Sequence, residues 1–172
     1  KLVFSSSATV YGEPKYLPLD ELHPIAPQNP YGRSKAQVEE ILHDVSCANS
    51  VWDIVALRYF NPIGAHTSGL LGESPRDVPA NLMPHILNAG LNESDVIKIF
   101  GDKYNTPDGT CIRDFIHVVD LAKGHVAAVS SLGQTSVGFS AYNLGTGRGT
   151  SVKNLIETFE VEVGISLNQS IE

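Results

Sequence analysis

Apolar positions along the chain fall either in short unbroken runs or at helical spacing, which is the pattern of strands and helices taken in turn. Leu2-Val3-Phe4 runs into Ser5 as a short buried strand, and Ile54 to Phe60 is nearly continuous in apolar residues, as strands covered on both faces are. Between them a loop rich in Gly and Pro extends from about Tyr11 to Gln28. Asn29 then offers a helix cap, and Pro30 fits the first helical position, where its missing N–H costs nothing. Val38, Ile41, Leu42 and Val45 recur at helical spacing to about Ala48. Residues 1–60 therefore predict one strand–helix–strand crossover with parallel strands.

The pattern breaks up further on. Asn61 to Pro79 carries loop chemistry, and a short helix around Asn81 to Ala89 is expected to be interrupted by Pro84. Val96 to Phe100 predicts a strand, Gly101 to Gly109 a polar turn, and Cys111 to Val118 an extended segment. Asp120 to Leu132 predicts a helix with Leu121, Ala122, Val126 and Val129 on one face, and Ala141 to Leu144 a strand. Ser151 caps an expected last helix to about Glu162, and the segment after Gly164 carries little pattern.

Composition narrows the function classes. The 172 residues, 42% hydrophobic and 18% charged, suit one globular domain or part of a larger one. A net charge of −7 without a basic cluster argues against nucleic acid or an anionic membrane as partner. No apolar run approaches the roughly 18 residues of a membrane span, and the N-terminus lacks a signal-peptide layout. A soluble, cytoplasmic protein is expected. Cys47 and Cys111 stand far apart and outside any metal-ligand spacing, which predicts free thiols of a reducing compartment. Lys1, not Met, opens the chain directly onto Leu2, which suggests a piece cut inside or beside a strand.

Two Tyr-x-x-x-Lys spacings occur, and context separates them. Tyr11 and Lys15 enclose Gly12 and Pro14, which forbid a regular helix, whereas Tyr31 and Lys35 open the capped helix. Tyr31, Lys35, Val38, Leu42 and Val45 fall within about 80° of one another around that helix, so the expected packing face carries the lysine inward. An inward lysine is costly without a task or a partner, although a lysine that snorkels to solvent beside a core tyrosine fits the same spacing. Ser5-Ser6-Ser7-Ala8-Thr9 follows the first strand, where doubly wound sheets place their ligand crevice. Hydroxyl, phenol and ammonium together make an acid-base site, because an ammonium favours the phenolate that takes a proton from an alcohol.

Other features are weaker. Gly145-Thr146-Gly147-Arg148-Gly149 has GxGxG spacing, and no acidic residue follows at the ribose distance. His117 and His125 are eight apart with no carboxylate or Cys at ligand spacing, so packed or capping histidines are expected and no metal site.

The blocks Ser5 to Gly12, Asn29 to Lys35, Leu57 to His66, Asn81 to Pro84, Asp108-Gly109-Thr110 with Arg113 to His125, and Tyr142 to Gly147 resemble the UDP-glucose 4-epimerase family of extended short-chain dehydrogenase/reductases. They occur in family order over about residues 1–158, and the chain drifts from the pattern after Phe159. The resemblance implies an α/β fold: part of a doubly wound parallel-sheet (Rossmann-like) NAD domain and part of a smaller α/β substrate domain. Residues 1–62 would belong to the first and 63–172 to the second, with about 111–133 packing back on the first.

The resemblance also implies roles. Tyr31 would be the general base, Lys35 would bind the nicotinamide ribose of NAD and tune Tyr31, and Ser7 would orient the sugar hydroxyl. Tyr59 and Phe60 would lie by the nicotinamide and sugar. Asn61, Asn81, Leu82 and Phe100 would contact the UDP-sugar, and Arg113 its diphosphate, which suits a guanidinium. Ala80 stands where the family usually has a second Asn, and His85 where an aromatic Tyr is usual.

The implied activity is interconversion of UDP-glucose and UDP-galactose by reversible C4 oxidation with bound NAD, in a homodimeric parent, with this chain alone inactive. Related nucleotide-sugar decarboxylases and 4,6-dehydratases share the Tyr/Lys pair. Dehydratases add acidic residues near the Ser/Thr, which Ser7-Ala8-Thr9 lacks. A non-catalytic nucleotide-sugar-binding relative is the alternative from outside catalysis, and the intact Ser7, Tyr31 and Lys35 argue against it.

Overall fold

In chain order the computed structural model runs through β1 (Leu2–Ser7), a 3-10 turn (Ala8–Tyr11), α1 (Pro30–Ala48), β2 (Asp53–Tyr59), β3 (Asn61–Ile63), α2 (Leu82–Leu91) and β4 (Val96–Ile99). It continues through β5 (Ile112–His117), α3 (Val118–Ser131), β6 (Gly138–Leu144), β7 (Gly149–Ser151), α4 (Val152–Val163) and β8 (Asn168–Ile171). The structure describes residues 1–92, 94–134 and 138–172. They form two units, Lys1–Pro62 with Ile116–Gly147 and Ile63–Phe115 with Arg148–Glu172.

In the first unit the two apolar runs pair side by side. β1 and β2 are parallel with Leu2 opposite Ile54 and Ser7 opposite Tyr59, and β6 adds in parallel on the far side of β2, with Tyr59 opposite Leu144. Because side chains alternate along a strand, β1 and β2 present two distinct faces. Val3, Val55, Leu57 and Tyr59 pack with Ala128 and Leu132 from the α3 side, while Ser6 and Arg58 bond to Glu39 of α1. The result is helix, parallel sheet, helix: the expected α/β layering.

Local chemistry explains the helix ends. Asn29 Oδ1 accepts the Gly32 amide at 2.7 Å at the start of α1, with Pro30 in the first turn. His117 Nδ1 accepts the Val119 amide at 3.2 Å and caps α3.

Two helix faces differ from expectation. On α1 the packed side is Gly32, Ala36, Glu39 and Ser46, with Lys35, Val38, Leu42 and Val45 half-buried beside it and Tyr31 at its margin, 51% exposed. Hydrophobic periodicity does not find this side, because one of its buried positions, Glu39, is a carboxylate. On α3 the inward residues are Leu121, Gly124, His125 and Ala128, followed by Leu132 just past its end, while Ala122 is exposed and Val126 and Val129 are 67% and 60% exposed. Close approach decides this one: a Cβ on Gly124 would lie 2.7 Å from Leu144 Cδ1, so the glycine side of the helix is the side that fits the sheet.

In the second unit, β4 and β8 pair in parallel, with Val96 opposite Asn168 and Ile99 opposite Ile171. Ile86, Ala89, Ile97, Ile99, Ile156 and Leu167 form its core, with α2 and α4 supplying Leu82, Met83, Leu155 and Phe159 around it. β5 and β7 pair antiparallel, Ile112 opposite Ser151. Ser151 Oγ caps α4 by accepting the Asn154 amide at 3.0 Å, and Gly164 closes that helix in the left-handed region at φ 74°. Pro84 does not interrupt α2. It is the third residue of the helix, where a backbone N–H has no intrahelical partner to lose. The strand β8 and the short β3 were not expected, since neither alternates in hydrophobicity.

Gly32 allows the first turn of α1 to sit against the 3-10 turn, because a Cβ there would lie 2.7 Å from the Thr9 carbonyl oxygen and 3.0 Å from Pro27 Cβ. Gly32→Ala is expected to destabilise the chain by about 1–3 kcal/mol in urea unfolding. Gln37→Ala, on the exposed side of the same helix, should stay within about 0.5 kcal/mol of the parent. Equal stabilities would show that this contact is not tight.

Candidate functional site

Three consecutive serines end β1, and alternation gives each a different duty. Ser6 Oγ donates to Glu39 Oε1 on α1. Ser5 Oγ lies 3.3 Å from His125 Nε2, and the Ser5 carbonyl accepts Lys35 Nζ at 2.8 Å. Buried Ser7 caps the 3-10 turn, its Oγ accepting the Thr9 amide at 3.2 Å and Thr9 Oγ1 at 2.9 Å. A hydroxyl that accepts twice retains its own O–H as a donor. Ser7 is thus a held donor at the carboxyl end of a parallel strand, where such sheets bind ligands.

The start of α1 meets the same strand end. Tyr31 stands beside Gly32, which abuts Thr9, so the phenol and Ser7 are carried on contacting chain segments. Lys35, one turn later and half-buried, places its ammonium 5.5 Å from the Tyr31 ring centroid and 5.2 Å from that of Phe4. The lysine is therefore fixed from two sides, by a carbonyl and by two aromatic faces.

What sets the helix against the sheet is a buried ion pair. Glu39 and Arg58 side chains are 7% and 8% exposed, and Arg58 Nη2 donates to Glu39 Oε2 at 2.5 Å while Nε reaches Oε1 and Oε2 at 3.0 and 3.1 Å. Arg58 Nη1 also donates to the Tyr11 hydroxyl at 3.1 Å, and that hydroxyl donates to Asn143 Oδ1 at 2.6 Å. Burial alone would lower the guanidinium, but its bonds to Glu39 and Tyr11 raise it on balance. Burial likewise raises the Tyr11 phenol, against the pull of Arg58. Glu39, Arg58, Ser6 and Tyr11 were all missed as site-forming residues. The signal was present: Arg58 is a charge inside an apolar strand run, and Glu39 lies four residues beyond Lys35, on one helical side with it.

Tyr59 ends β2 opposite Ser7, half-buried, with its ring 5.9 Å from that of His125. Phe60 follows, half-buried, its amide bonded to the Leu144 carbonyl at 3.0 Å, and Asn61 is exposed at the start of β3. Asn81, Leu82, Phe100 and Arg113 belong to the second unit. There Asn81 donates to Glu73 Oε1 at 2.8 Å, Phe100 is exposed, and exposed Arg113 donates to its neighbour's carbonyl at Ile112 at 2.8 Å. Gly145 to Gly149 leads into the three-residue strand β7 and not directly into a helix. Cys47 and Cys111 are free.

Residues 1–145 match the family described as the NAD dependent epimerase/dehydratase family. The chain is 56% identical over 156 residues to the UDP-glucose 4-epimerase of Dictyostelium discoideum, covering 91% of this chain and 45% of that protein. It is 52% identical over 164 residues to the Homo sapiens UDP-glucose 4-epimerase, covering 95% and 47%. The crystal structure of the Bifidobacterium longum UDP-glucose 4-epimerase in complex with NAD+ and UDP superposes with a TM-score of 0.93 at 51% identity, over 99% of this chain and 50% of that one. The chain thus spans about half the length of the curated relatives it matches.

Breaking the ion pair from one side leaves an uncompensated buried charge. Glu39→Ala should cost about 3–5 kcal/mol, whereas Glu39→Leu with Arg58→Met should cost clearly less. Denaturant unfolding of the three proteins checks this, and a double variant as unstable as the single one would contradict the pairing.

Proposed function

The chain belongs to the NAD dependent epimerase/dehydratase family, and from that premise we propose that it carries the proton-transfer half of an enzyme interconverting UDP-glucose and UDP-galactose at sugar C4. The observation that carries this reading is Lys35, seated against the Tyr31 ring and on the carbonyl of Ser5, the residue two before the held hydroxyl of Ser7.

The residues fit one end of NAD. An ammonium has three N–H donors and Lys35 gives one to Ser5, so two suit the hydroxyls of the nicotinamide ribose. Tyr59 and Phe60 offer apolar rings at the same strand end. Among the described residues no strand leads through a Gly-rich turn directly into a helix as a pyrophosphate cradle. On this reading the 172 residues alone neither retain NAD nor epimerise. Bound NAD supplies a hydride acceptor that returns what it takes, so net redox is zero.

This chain's own residues handle the proton. Ser7 donates to the C4 oxygen and orients it; the Tyr31 phenolate, stabilised by the Lys35 charge, takes the hydroxyl proton and later gives it back. Asn61, Asn81, Leu82 and Phe100 contact the UDP-sugar, and exposed Arg113 offers its planar donors to the diphosphate. Residues 1–62 serve the dinucleotide and 63–172 the nucleotide sugar. Within the latter, about residues 111–133 return to the dinucleotide side, a reading supported by the grouping of Ile116–Gly147 with the first unit. A homodimeric, cytoplasmic parent completes the proposal; the two free thiols suit a reducing compartment. No helix among the described residues is long and apolar enough to cross a membrane.

The test uses a chimera in which this chain replaces the matching half of the Bifidobacterium longum enzyme. Tyr31→Phe should cut kcat by about 10² or more with little loss of UDP binding; near-normal turnover would contradict the assignment. Arg113→Ala should raise KM for UDP-galactose while leaving NAD bound, and unchanged UDP affinity would remove Arg113 from the site.

A further inference from the structure

His125 has no part in the proton transfer above, yet it touches two residues of that strand end. Its Nδ1 lies 2.9 Å from the Leu121 carbonyl, an obligate acceptor, so Nδ1 donates there, and in the neutral ring Nε2 is left to accept from Ser5 Oγ, 3.3 Å away. The backbone carbonyl of that same Ser5 seats the Lys35 ammonium. The His125 ring also backs the Tyr59 ring, 5.9 Å away at 49°. A chain of contacts therefore runs from α3 through one strand residue to the lysine on α1: Leu121 carbonyl, His125, Ser5, Lys35.

From this geometry we propose that His125 is a positioning residue. By tying the Ser5 side chain to α3 it fixes the carbonyl on which Lys35 rests, and by packing on Tyr59 it fixes the ring at the neighbouring strand end. The inference rests on the reading of Tyr31 and Lys35 as the proton-transfer pair. A lysine whose one hydrogen bond runs to a strand carbonyl inherits any looseness of that residue, and small misplacements of such groups cost rate more than binding.

In the chimera, His125→Ala and Ser5→Ala should each lower kcat about tenfold while KM for UDP-galactose stays within about twofold. His125→Gln and Ser5→Thr each keep a group able to make the bond and should restore most of kcat. The His125→Ala/Ser5→Ala double variant should be no slower than His125→Ala alone, since Ser5→Ala removes a bond that His125→Ala has already broken. In the 172-residue chain the two alanine substitutions should raise the rate at which an amine-acylating reagent labels Lys35, read by peptide mass spectrometry. Labelling of exposed Lys103 should not change. Unaltered kcat in His125→Ala, no rescue by Gln, or unaltered Lys35 labelling would overturn the proposal. A chimera that binds NAD and UDP but does not turn over would instead sink the epimerase reading, and the labelling experiment would still decide the role of His125.

Discussion

The Glu39–Arg58 ion pair is the constraint from which the arrangement of the first unit follows. Removing two charges from water costs several kcal/mol each, repaid only if geometry is good and the remaining donors and acceptors are satisfied. Here Ser6 completes the carboxylate, and Tyr11 with Asn143 completes the guanidinium side. Such a network tolerates one rotation of α1 about its axis and one position along it. That setting leaves Tyr31 at the margin of the packed face and Lys35 directly over the Ser5 carbonyl. A helix packed through apolar residues alone has no comparably directional contact.

Alternation along β1 divides the work among serines that look interchangeable as a sequence. Ser6 points to the ion pair, Ser5 to His125, and Ser7 closes the strand with its hydroxyl held by Thr9. A one-residue slip of this strand would exchange every one of these partners. Pairing of Ser7 with Tyr59, and of Tyr59 with Leu144, keeps the strand ends level across the sheet.

Much of this was legible in the residues. The crossover, the Asn29 and Ser151 caps and the placing of Tyr31 and Lys35, not Tyr11 and Lys15, on a regular helix rest on local rules, and the fold bears them out. Helix faces were harder, because hydrophobic periodicity assumes that inward means apolar. Glu39, Gly124 and His125 point inward, the first for a charge partner, the second for close approach, the third for a hydrogen bond. Tyr11 was set aside for lacking a helix, and it is fully buried as part of the network. β8 escaped notice because its polar residues are held by pairing with β4, not by their own pattern.

On the proposed function, this strand end and helix start serve oxidation and re-reduction of one sugar carbon. UDP-galactose carrying deuterium at C4 tests it most directly, with the chimera as catalyst and the product read by NMR. The expected product is UDP-glucose that keeps deuterium at C4, because the same hydride would leave and return within one bound complex while only the hydroxyl proton exchanges through Tyr31. Product that has lost the C4 deuterium to solvent would contradict it.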